Sequence, residues 1–422
     1  SHPLFIPLTL LAGLAIRLLV ATLLPVEPMS DSAWYISRAK ELANGMGYQE
    51  GGLPTAYWPV GWPAILAAGY LLLGSIPIAV VSLNLLAALS IMLLIYWFGR
   101  RVAGNDLVGR LALLAYALYP NHIAYTPNAA TELVYTAVAM GAFAIIIHGR
   151  ERWWLLFLGG VTFGIATLIK PQTLAFPFGA FIAMGIVIRS YSWLSAGRGI
   201  VITYLGLLLI VLPWTYRNYV VFGEPVLVST NGGTALLLGA NPQITGDHFE
   251  YQHTDVFKKL GIPWDDRVSR QVELNHQQKE AAYRWIRDNP GEYIGWIPKK
   301  VFLLWVKDTD GFWAYDHTYP NASLIVRSAQ ILNQAYYVII LLLSLAALLY
   351  ATVGLFKRNE DLMLMGLLFC MPIFVSLLAA AFTGQIRYHF SAMPFLFVAA
   401  SWCVLHLTTR KHADRLTKSL TP

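Results

Sequence analysis

Residues 76–98, IPIAVVSLNLLAALSIMLLIYWF, form an apolar run without a single charged side chain. A transmembrane helix needs about 20 such residues to cross a hydrocarbon core of about 30 Å. The run therefore predicts a membrane-spanning helix, and the basic pair Arg100-Arg101 follows it directly. The run just before it, 63–74, is too close to be a second full span, so we expect a helix in or near the outer interface.

Similar apolar runs occupy most of the remaining chain and predict an all-α polytopic membrane protein with about ten transmembrane helices. The predicted spans are 4–25, 76–98, 107–121, 131–148, 154–169, 173–188, 198–214, 330–355, 361–382 and 391–408.

The composition agrees with this class of protein. Of the 422 residues, 57% are apolar or aromatic and only 13% are charged, whereas soluble chains carry about 25% charged residues. This balance excludes a water-soluble enzyme, a disordered chain and a nucleic-acid-binding module. The two cysteines, Cys370 and Cys403, lie in apolar runs and are interpreted as core residues rather than metal ligands.

Basic residues orient the predicted bundle. With a cytoplasmic N-terminus, they concentrate in the inside segments 99–106, 149–153, 189–197, 356–360 and the tail from 409. The short connections on the other side carry only Lys170 and Arg387. This asymmetry follows the positive-inside rule and places both termini in the cytoplasm, so the net charge of +7 is mainly an orientation signal. The Ser-His start is interpreted as a trimmed or tagged end.

The predicted topology divides the chain into three parts. The first, 1–214, is a transmembrane module that contains the external loop 26–62. The second, 215–329, is a small external domain, in which 290–306 is expected to form an interfacial amphipathic helix with Lys299 and Lys300 on its polar side. The third, 330–422, holds the last transmembrane helices and a basic cytoplasmic tail.

A few charged residues stand near the ends of the predicted spans, all at the outer level. Ionisable groups at membrane depth are expensive and indicate function; for each one alone, a snorkelled charge at a helix end is the alternative. Two carboxylates and three cations at one interface indicate a reaction of a lipid-borne anion, with the cations holding phosphate and a carboxylate acting as base. The five residues are Asp31, Glu132, Lys170, Arg217 and Arg387. Arg17 lies deeper, and we expect a structural pair for it inside the bundle.

The loop 26–62 contains the densest set of candidate residues. Ser30 and Asp31 are able to cap a helix that starts at Ser32 and ends at Asn44-Gly45, so Asp31 is either an N-cap or a functional carboxylate. The aromatic residues of this loop form either an interfacial belt or a platform for sugar and lipid. They are Trp34, Tyr35, Tyr48, Tyr57, Trp58 and Trp62.

Five stretches, in order, resemble motifs of the GT-C class of polytopic glycosyltransferases, specifically the family-39-like proteins related to protein O-mannosyltransferases and the lipid A aminoarabinose transferase. The first is Asp31 and Tyr35 followed by GMGY and PTAYWPVGWPAILA; the second is YPNHIAYTPNAATE, which ends in Thr131-Glu132. The others are TLIKPQTLAFP, PWTYRNYVVFGEPVLVSTNGG and QIRYHFSAMP. The resemblance extends from about residue 10 to residue 400.

The resemblance implies an inverting glycosyltransferase with its site on the outer face of the bacterial cytoplasmic membrane. The donor would be a sugar on a polyprenyl phosphate, and the acceptor a lipid, glycan or protein. Asp31 would be the catalytic base, and Lys170, Arg217 and Arg387 would bind the donor phosphate. Glu132 would orient the acceptor, bind a divalent cation or pair with a cation. Membrane lipids are expected partners and nucleic acid is not; a divalent cation is allowed but no cofactor is required. The residues expected to line the substrate site are Tyr35, Tyr57, Trp58, Tyr388 and His389.

Two other functions fit part of the pattern: an O-antigen polymerase or ligase using lipid diphosphate donors, and a transporter of lipid-linked glycans. The early Asp31 argues against the first. The second is disfavoured because the charges lie at one face rather than at the midplane. A polar cluster in the large loop is interpreted as a solvated loop, with an acceptor site as the alternative; it comprises Asp308, Asp310, Asp316 and His317, beside Trp313, Tyr315 and Tyr319.

Overall fold

A computed structural model describes residues 2–247 and 254–419. The chain is almost entirely helical in these ranges. In chain order the α-helices are α1 (Phe5–Leu23), α2 (Asp31–Ala43), α3 (Gly61–Leu73), α4 (Ile76–Arg101), α5 (Asp106–Ala117), α6 (Pro120–Ala124), α7 (Glu132–His148), α8 (Trp153–Ile169), α9 (Phe176–Val187), α10 (Trp193–Phe222), α11 (Gly232–Leu238), α12 (Asp255–Lys258), α13 (Gln271–Asp288), α14 (Pro290–Trp305), α15 (Trp313–Thr318), α16 (Ser323–Lys357), α17 (Glu360–Leu364), α18 (Cys370–Ala381) and α19 (Met393–Ser419).

Short 3-10 helices and one hairpin complete the described structure. The hairpin pairs β1 (Gln49–Glu50) with β2 (Leu53–Pro54) in antiparallel register. Its turn is Gly51-Gly52, where both residues have positive φ, as such a tight turn requires. The 3-10 helices are Pro171–Ala175, Trp264–Asp266, Asp310–Phe312, Pro320–Ala322, Met365–Phe369 and Ile386–Ala392.

Six helical segments among the described residues are long and apolar enough to cross a membrane: Phe5–Leu23, Ile76–Arg101, Trp193–Phe222, Leu324–Lys357, Glu360–Ala381 and Ile386–Thr408. The chain is therefore a polytopic helical membrane protein, as predicted. The predicted spans 131–148, 154–169 and 173–188 correspond to apolar helical segments of 10–17 residues, Glu132–His148, Trp153–Ile169 and Pro171–Val187. The predicted span 107–121 forms the shorter α5, which ends before Pro120. The number of ten transmembrane helices stays a prediction. The basic side chains of the tail beyond Thr408 lie outside the described residues.

Small residues let the helices of the bundle approach closely. A Cβ atom at Gly160 of α8 would overlap the carbonyl oxygen of Thr203 in α10, and one at Gly206 would overlap that of Phe157. Such contacts drive helix association where no hydrophobic force acts between helices. The pair α8–α10 is thereby fixed, and with it Lys170 at the end of α8.

Arg17 is completely buried in α1, and its partners inside the bundle are backbone carbonyls and an aromatic ring. Its guanidinium donates to the carbonyl oxygens of Ala117 at 2.9 Å and Tyr116 at 3.4 Å, and it lies over the Tyr116 ring. These carbonyls end α5, where the helix dipole is negative. The helix end therefore replaces a carboxylate as the counter-charge.

The predicted interfacial helix 290–306 is α14, and one side of it exposes Ile294, Pro298 and Phe302 at steps of four. Lys299 is exposed as expected, whereas Lys300 is completely buried. The expectation for Lys300 is wrong because its Nζ reaches inward and donates to the carbonyl oxygen of Gly239 at 2.7 Å.

Candidate active site

Asp31 and Arg387 are joined by an ion pair, although they are 356 positions apart. Arg387 Nη1 donates to Asp31 Oδ2 at 2.8 Å, and the side chains are 29% and 33% exposed, respectively, for Asp31 and Arg387. Helix α2 begins at Asp31 itself, one residue earlier than predicted, and Ser30 caps it with no side-chain hydrogen bond. Ser30 has a φ of 47°, a conformation that costs a non-glycine residue about 1–3 kcal/mol. Asp31 therefore serves the ion pair rather than an N-cap.

Glu132 and Lys170 form a second, more deeply buried ion pair. Lys170 Nζ donates to Glu132 Oε1 at 2.9 Å, and the side chains are only 14% and 6% exposed, respectively, for Lys170 and Glu132. Glu132 is the first residue of α7, where the helix dipole favours a carboxylate. Lys170 follows α8 directly and lies over the ring of Tyr135. Of the three roles left open for Glu132, the structure shows the pairing with a cation.

A third carboxylate, Asp310, lies beside these pairs. It accepts a hydrogen bond from the hydroxyl of Tyr125 and is close enough to Arg387 and Glu132 to sense both charges. Burial raises the pKa of the Asp310 carboxyl, the nearby Arg387 lowers it, and Glu132 raises it. The interpretation of Asp310 as part of a fully solvated loop is wrong, because the residue is half-buried and its carboxylate is held by the hydroxyl of Tyr125.

Asp308 is also buried rather than solvated. Four side chains surround its carboxylate: the hydroxyl of Tyr119, the amides of Asn121 and Asn333, and His389, whose Nε2 lies 3.0 Å from Asp308 Oδ1. The other ring nitrogen of His389 contacts the carbonyl oxygen of Leu304 at 2.6 Å. His389 is completely buried with both ring nitrogens engaged, so it does not present itself to a substrate as the sequence analysis expected. Asp316 and His317 are exposed, as a solvated loop requires.

A polar residue inside an apolar run is the signal that could have identified this second layer. Asn333 stands in the run 330–355, which is predicted to cross the membrane, and His389 lies two residues before the run 391–408. A buried amide or imidazole needs a partner. Asp308 supplies it for both. The sequence does not show which of the loop carboxylates takes that role.

Arg217 does not join the two ion pairs. Its Nη1 donates to the carbonyl oxygen of Thr55 at 2.9 Å and its Nη2 to that of Tyr48 at 3.0 Å, while its guanidinium lies over Trp214. These contacts attach the β1–β2 hairpin to α10. Of the five charged residues predicted for the site, the structure brings together Asp31, Glu132, Lys170 and Arg387. Arg217 lies at the hairpin instead.

Aromatic residues of the first loop pack beside the ion pairs. Tyr35 is buried one turn after Asp31; burial raises its pKa well above the ordinary value, and Asp31 raises it further. The ring of Trp58 packs edge-on against Tyr35 and Tyr57. Tyr57 in turn packs against Trp264, which begins the 3-10 helix after α12. Tyr388 lies beneath the guanidinium of Arg387. Tyr35 and Tyr388 thus flank the Asp31–Arg387 pair, while Tyr57 joins the loop to Trp264.

In the described part of the chain, no three His, Cys, Asp or Glu residues lie together as a set that could hold a metal ion. Asp31 and Glu132 are instead each neutralised by a basic side chain. Among the described residues, these two carboxylates are thus engaged by cations rather than grouped as metal ligands.

The fold and this charged cluster define a multi-pass membrane protein with a GT-C-like fold. It is similar to the crystal structure of the Archaeoglobus fulgidus oligosaccharyltransferase in the apo form, with a TM-score of 0.58 and 12% identity over 99% of this chain and 52% of that chain. The archaeal oligosaccharyltransferase AglB from the same organism, in complex with an inhibitory peptide and a dolichol-phosphate, aligns with a TM-score of 0.51 and 12% identity over 99% of this chain and 52% of that chain.

The chain is less similar to ArnT from Cupriavidus metallidurans bound to undecaprenyl phosphate, with a TM-score of 0.49 and 14% identity over 92% of this chain and 77% of that chain. No model of a protein family matches the sequence, and no curated protein matches it either. The chain spans about half the length of the oligosaccharyltransferase. The GT-C-like fold implied by the sequence motifs is confirmed.

Proposed function

We propose that the chain is an inverting glycosyltransferase that moves a sugar from a polyprenyl phosphate to a hydroxyl of a lipid, glycan or protein. The observation that carries the proposal is that the Asp31–Arg387 and Glu132–Lys170 pairs lie close enough for Arg387 to sense both carboxylates, in a GT-C-like bundle. The similar archaeal oligosaccharyltransferase binds a dolichol-phosphate and a peptide, which supports a lipid phosphate as the ligand of such a site. The asymmetry of basic loops supports a site on the outer face of the bacterial cytoplasmic membrane.

Asp31 is the better base of the two paired carboxylates. Its side chain is 29% exposed, whereas that of Glu132 is 6% exposed and held by Lys170. A base must reach the proton that it removes, and only Asp31 has room for an acceptor hydroxyl. Glu132 acts instead by holding Lys170 in place.

Arg387 and Lys170 are the phosphate ligands in this proposal. Arg387 uses Nη1 on Asp31 and Nε on Gln385, and a guanidinium has five N–H donors, so donors remain for a phosphate. A bound phosphate would draw Arg387 from Asp31 and free the carboxylate. Arg217 is the least suited of the three predicted ligands, because two backbone carbonyls already occupy it.

In the reaction, Asp31 takes the proton of the acceptor hydroxyl while that oxygen attacks C1 of the sugar. The bond from C1 to the phosphate oxygen breaks, and polyprenyl phosphate leaves with its electron pair. Charge grows on the phosphate in the transition state, so Arg387 and Lys170 stabilise that state more than the ground state. Tyr35, Trp58 and Tyr388 provide aromatic surface beside the reacting atoms.

The test is release of polyprenyl phosphate from a panel of polyprenyl-phosphate sugars, in the presence of membrane lipid and glycan extracts. We expect the Asp31→Asn variant to bind donor but to lose about 10²–10⁴-fold in turnover, the usual contribution of a general base.

Glu27→Gln is the matched control, since Glu27 is an exposed carboxylate in the same loop; it should act like the unmodified chain. Full turnover by Asp31→Asn would contradict the assignment of the base. Release of polyprenyl diphosphate from lipid diphosphate donors, with no turnover of the monophosphate donors, would favour the polymerase or ligase alternative.

A further inference from the structure

An open groove of about 450 Å³ lies between α4, α7 and α8, away from the candidate active site. Its lining is apolar except at one end: Leu93, Leu94, Trp97, Gly141, Ala144, Ile145, His148 and Leu155. Helix α7 begins at Glu132 in the active site and ends at His148, which is about 24 Å further along the helix axis at 1.5 Å per residue. The groove therefore opens at the opposite end of the bundle.

The apolar part of the groove matches a hydrocarbon chain in size and position. Its volume falls within the range of about 300–1,000 Å³ that is typical of small-molecule sites. Leu93 is 46% exposed, and both walls belong to apolar helices of the membrane bundle. A groove at this depth faces lipid tails rather than water.

The end of the groove is cationic. Arg101 follows Trp97 by one helical turn on α4, so it continues the same wall. It is exposed and, within the described residues, forms no ion pair. His148, which is also exposed, ends the opposite wall.

Exposed tryptophans mark the level of this end in the membrane. Trp153 and Trp154 begin α8 just before the groove residue Leu155, and they are 62% and 50% exposed. Tryptophan concentrates at the boundary between hydrocarbon and headgroups. Arg101 and His148 at the end of the groove are thus at headgroup level, and the apolar walls are at tail level.

We infer that the groove binds an anionic phospholipid, with one acyl chain between α4 and α7 and the phosphate against Arg101 and His148. Basic pockets between transmembrane helices bind anionic headgroups in this way. The inference is independent of the proposed glycosyltransferase activity, because the groove shares no residue with the active site.

Gly141 offers a direct test of lipid binding in the groove, because a Cβ added at this position would meet only Leu94 Cδ1, at 3.9 Å. Gly141→Leu should fill the groove without a backbone clash. The matched control is Gly197→Leu, since Gly197 of α10 is exposed and a Cβ there has nothing within 4 Å.

The measurement is native mass spectrometry of the full chain in detergent, titrated with phosphatidylglycerol and with phosphatidylcholine of identical acyl chains. We expect the unmodified chain and Gly197→Leu to bind phosphatidylglycerol about fivefold more tightly than phosphatidylcholine, the effect of about one cation near a headgroup. Gly141→Leu should weaken the binding of both lipids by at least about fivefold.

A second variant keeps the inference testable if Gly141→Leu does not fold. Arg101→Gln should abolish the preference for phosphatidylglycerol and leave phosphatidylcholine binding unchanged, whereas Arg198→Gln, another exposed arginine, should keep the preference. Equal binding of the two lipids by the unmodified chain would overturn the inference. So would a Gly141→Leu variant that binds like the unmodified chain, or a preference that survives in Arg101→Gln.

Discussion

Asp31 and Glu132 each contact one basic side chain, but solvent reaches them to different extents. Asp31 stays open to a substrate at 29% exposure, whereas the Glu132–Lys170 pair is nearly closed. A buried pair contributes little net stability, but removal of one partner leaves an uncompensated charge. The two pairs therefore have different consequences for stability when they are broken.

Lys170→Gln should lower the free energy of unfolding by about 3–5 kcal/mol, because Glu132 would remain charged and buried without a partner. The double variant Glu132→Gln/Lys170→Gln should regain most of this loss and yet remain inactive. Thermal and denaturant unfolding in detergent, with a transfer assay alongside, measures both effects.

Arg270→Gln is the control for this experiment, because the Arg270–Glu273 pair is exposed and exposed pairs contribute little. Equal stability of Lys170→Gln and the unmodified chain would contradict the expectation that Glu132 is left as a buried charge without a counter-ion.

The residues of these pairs could be predicted individually from the sequence, since charges at the ends of apolar runs are rare. Asp308 and Asp310 were misjudged for the opposite reason. They stand in a polar loop, and nothing in the loop itself shows that Tyr119 and Tyr125 cover them. Burial of a loop carboxylate depends on which distant helix lies over it.

At the scale of elements, α8 and α10 depend on small residues for their close packing. Gly160→Ala should destabilise the chain by about 1–3 kcal/mol, the usual result of added volume in a packed core, because the new Cβ would overlap the Thr203 carbonyl. Gly179→Ala in α9 is the control, since a Cβ there meets nothing within 4 Å. Unfolding measurements on both variants decide; equal stability of the two would disprove the close contact.

Helix α14 is attached, through the buried amine of Lys300 and the hydroxyl of Tyr293, to the end of α18, which precedes Arg387. Lys300 donates to the carbonyl of Gly239 and, at 3.5 Å, to that of Ala380 in α18. Tyr293 of the same helix donates to the carbonyl of Ala381 at 2.8 Å. These contacts lie a few residues before Arg387 and so help to position it.

Burial lowers the pKa of Lys300 from 10.5 to about 8. Between these values the unfolded chain holds more protons than the folded one, so the free energy of unfolding should rise with pH from about 8 to 10.5. The rise should be at most about 3 kcal/mol for a shift of this size. Unfolding measured at pH 7.5, 8.5, 9.5 and 10.5 should show the slope.

Lys300→Met should lose this dependence on pH, whereas Lys299→Met, which alters the exposed neighbour, should retain it. A slope that persists unchanged in Lys300→Met would assign it to another group.

At the scale of the whole molecule, α7 and α8 separate the candidate active-site charges from a basic loop, because Glu132 begins α7 and Lys170 follows α8, whereas 149–153 joins the other ends of these helices. We expect Tyr283→Cys, at a position that is 62% exposed in α13, to react with a membrane-impermeant thiol reagent in intact cells. Arg189→Cys, at a position in a basic loop where the side chain is 50% exposed, should react only after permeabilisation. A background without Cys370 and Cys403 removes the native thiols. The reverse pattern of labelling would invert the predicted orientation.

The sequence by itself determined the class of fold, the membrane environment and four of the charged residues that meet in the site, because apolar length and unpaired charges are local properties of a chain. Only the tertiary structure decided how they pair, that Arg217 holds a hairpin, that Asp308 and Lys300 are buried and that Asp310 is half-buried. These outcomes depend on contacts such as Asp31–Arg387, which joins residues 356 positions apart. Which charge meets which is fixed by the packing of the helices that carry them, and that packing is not encoded within any one segment.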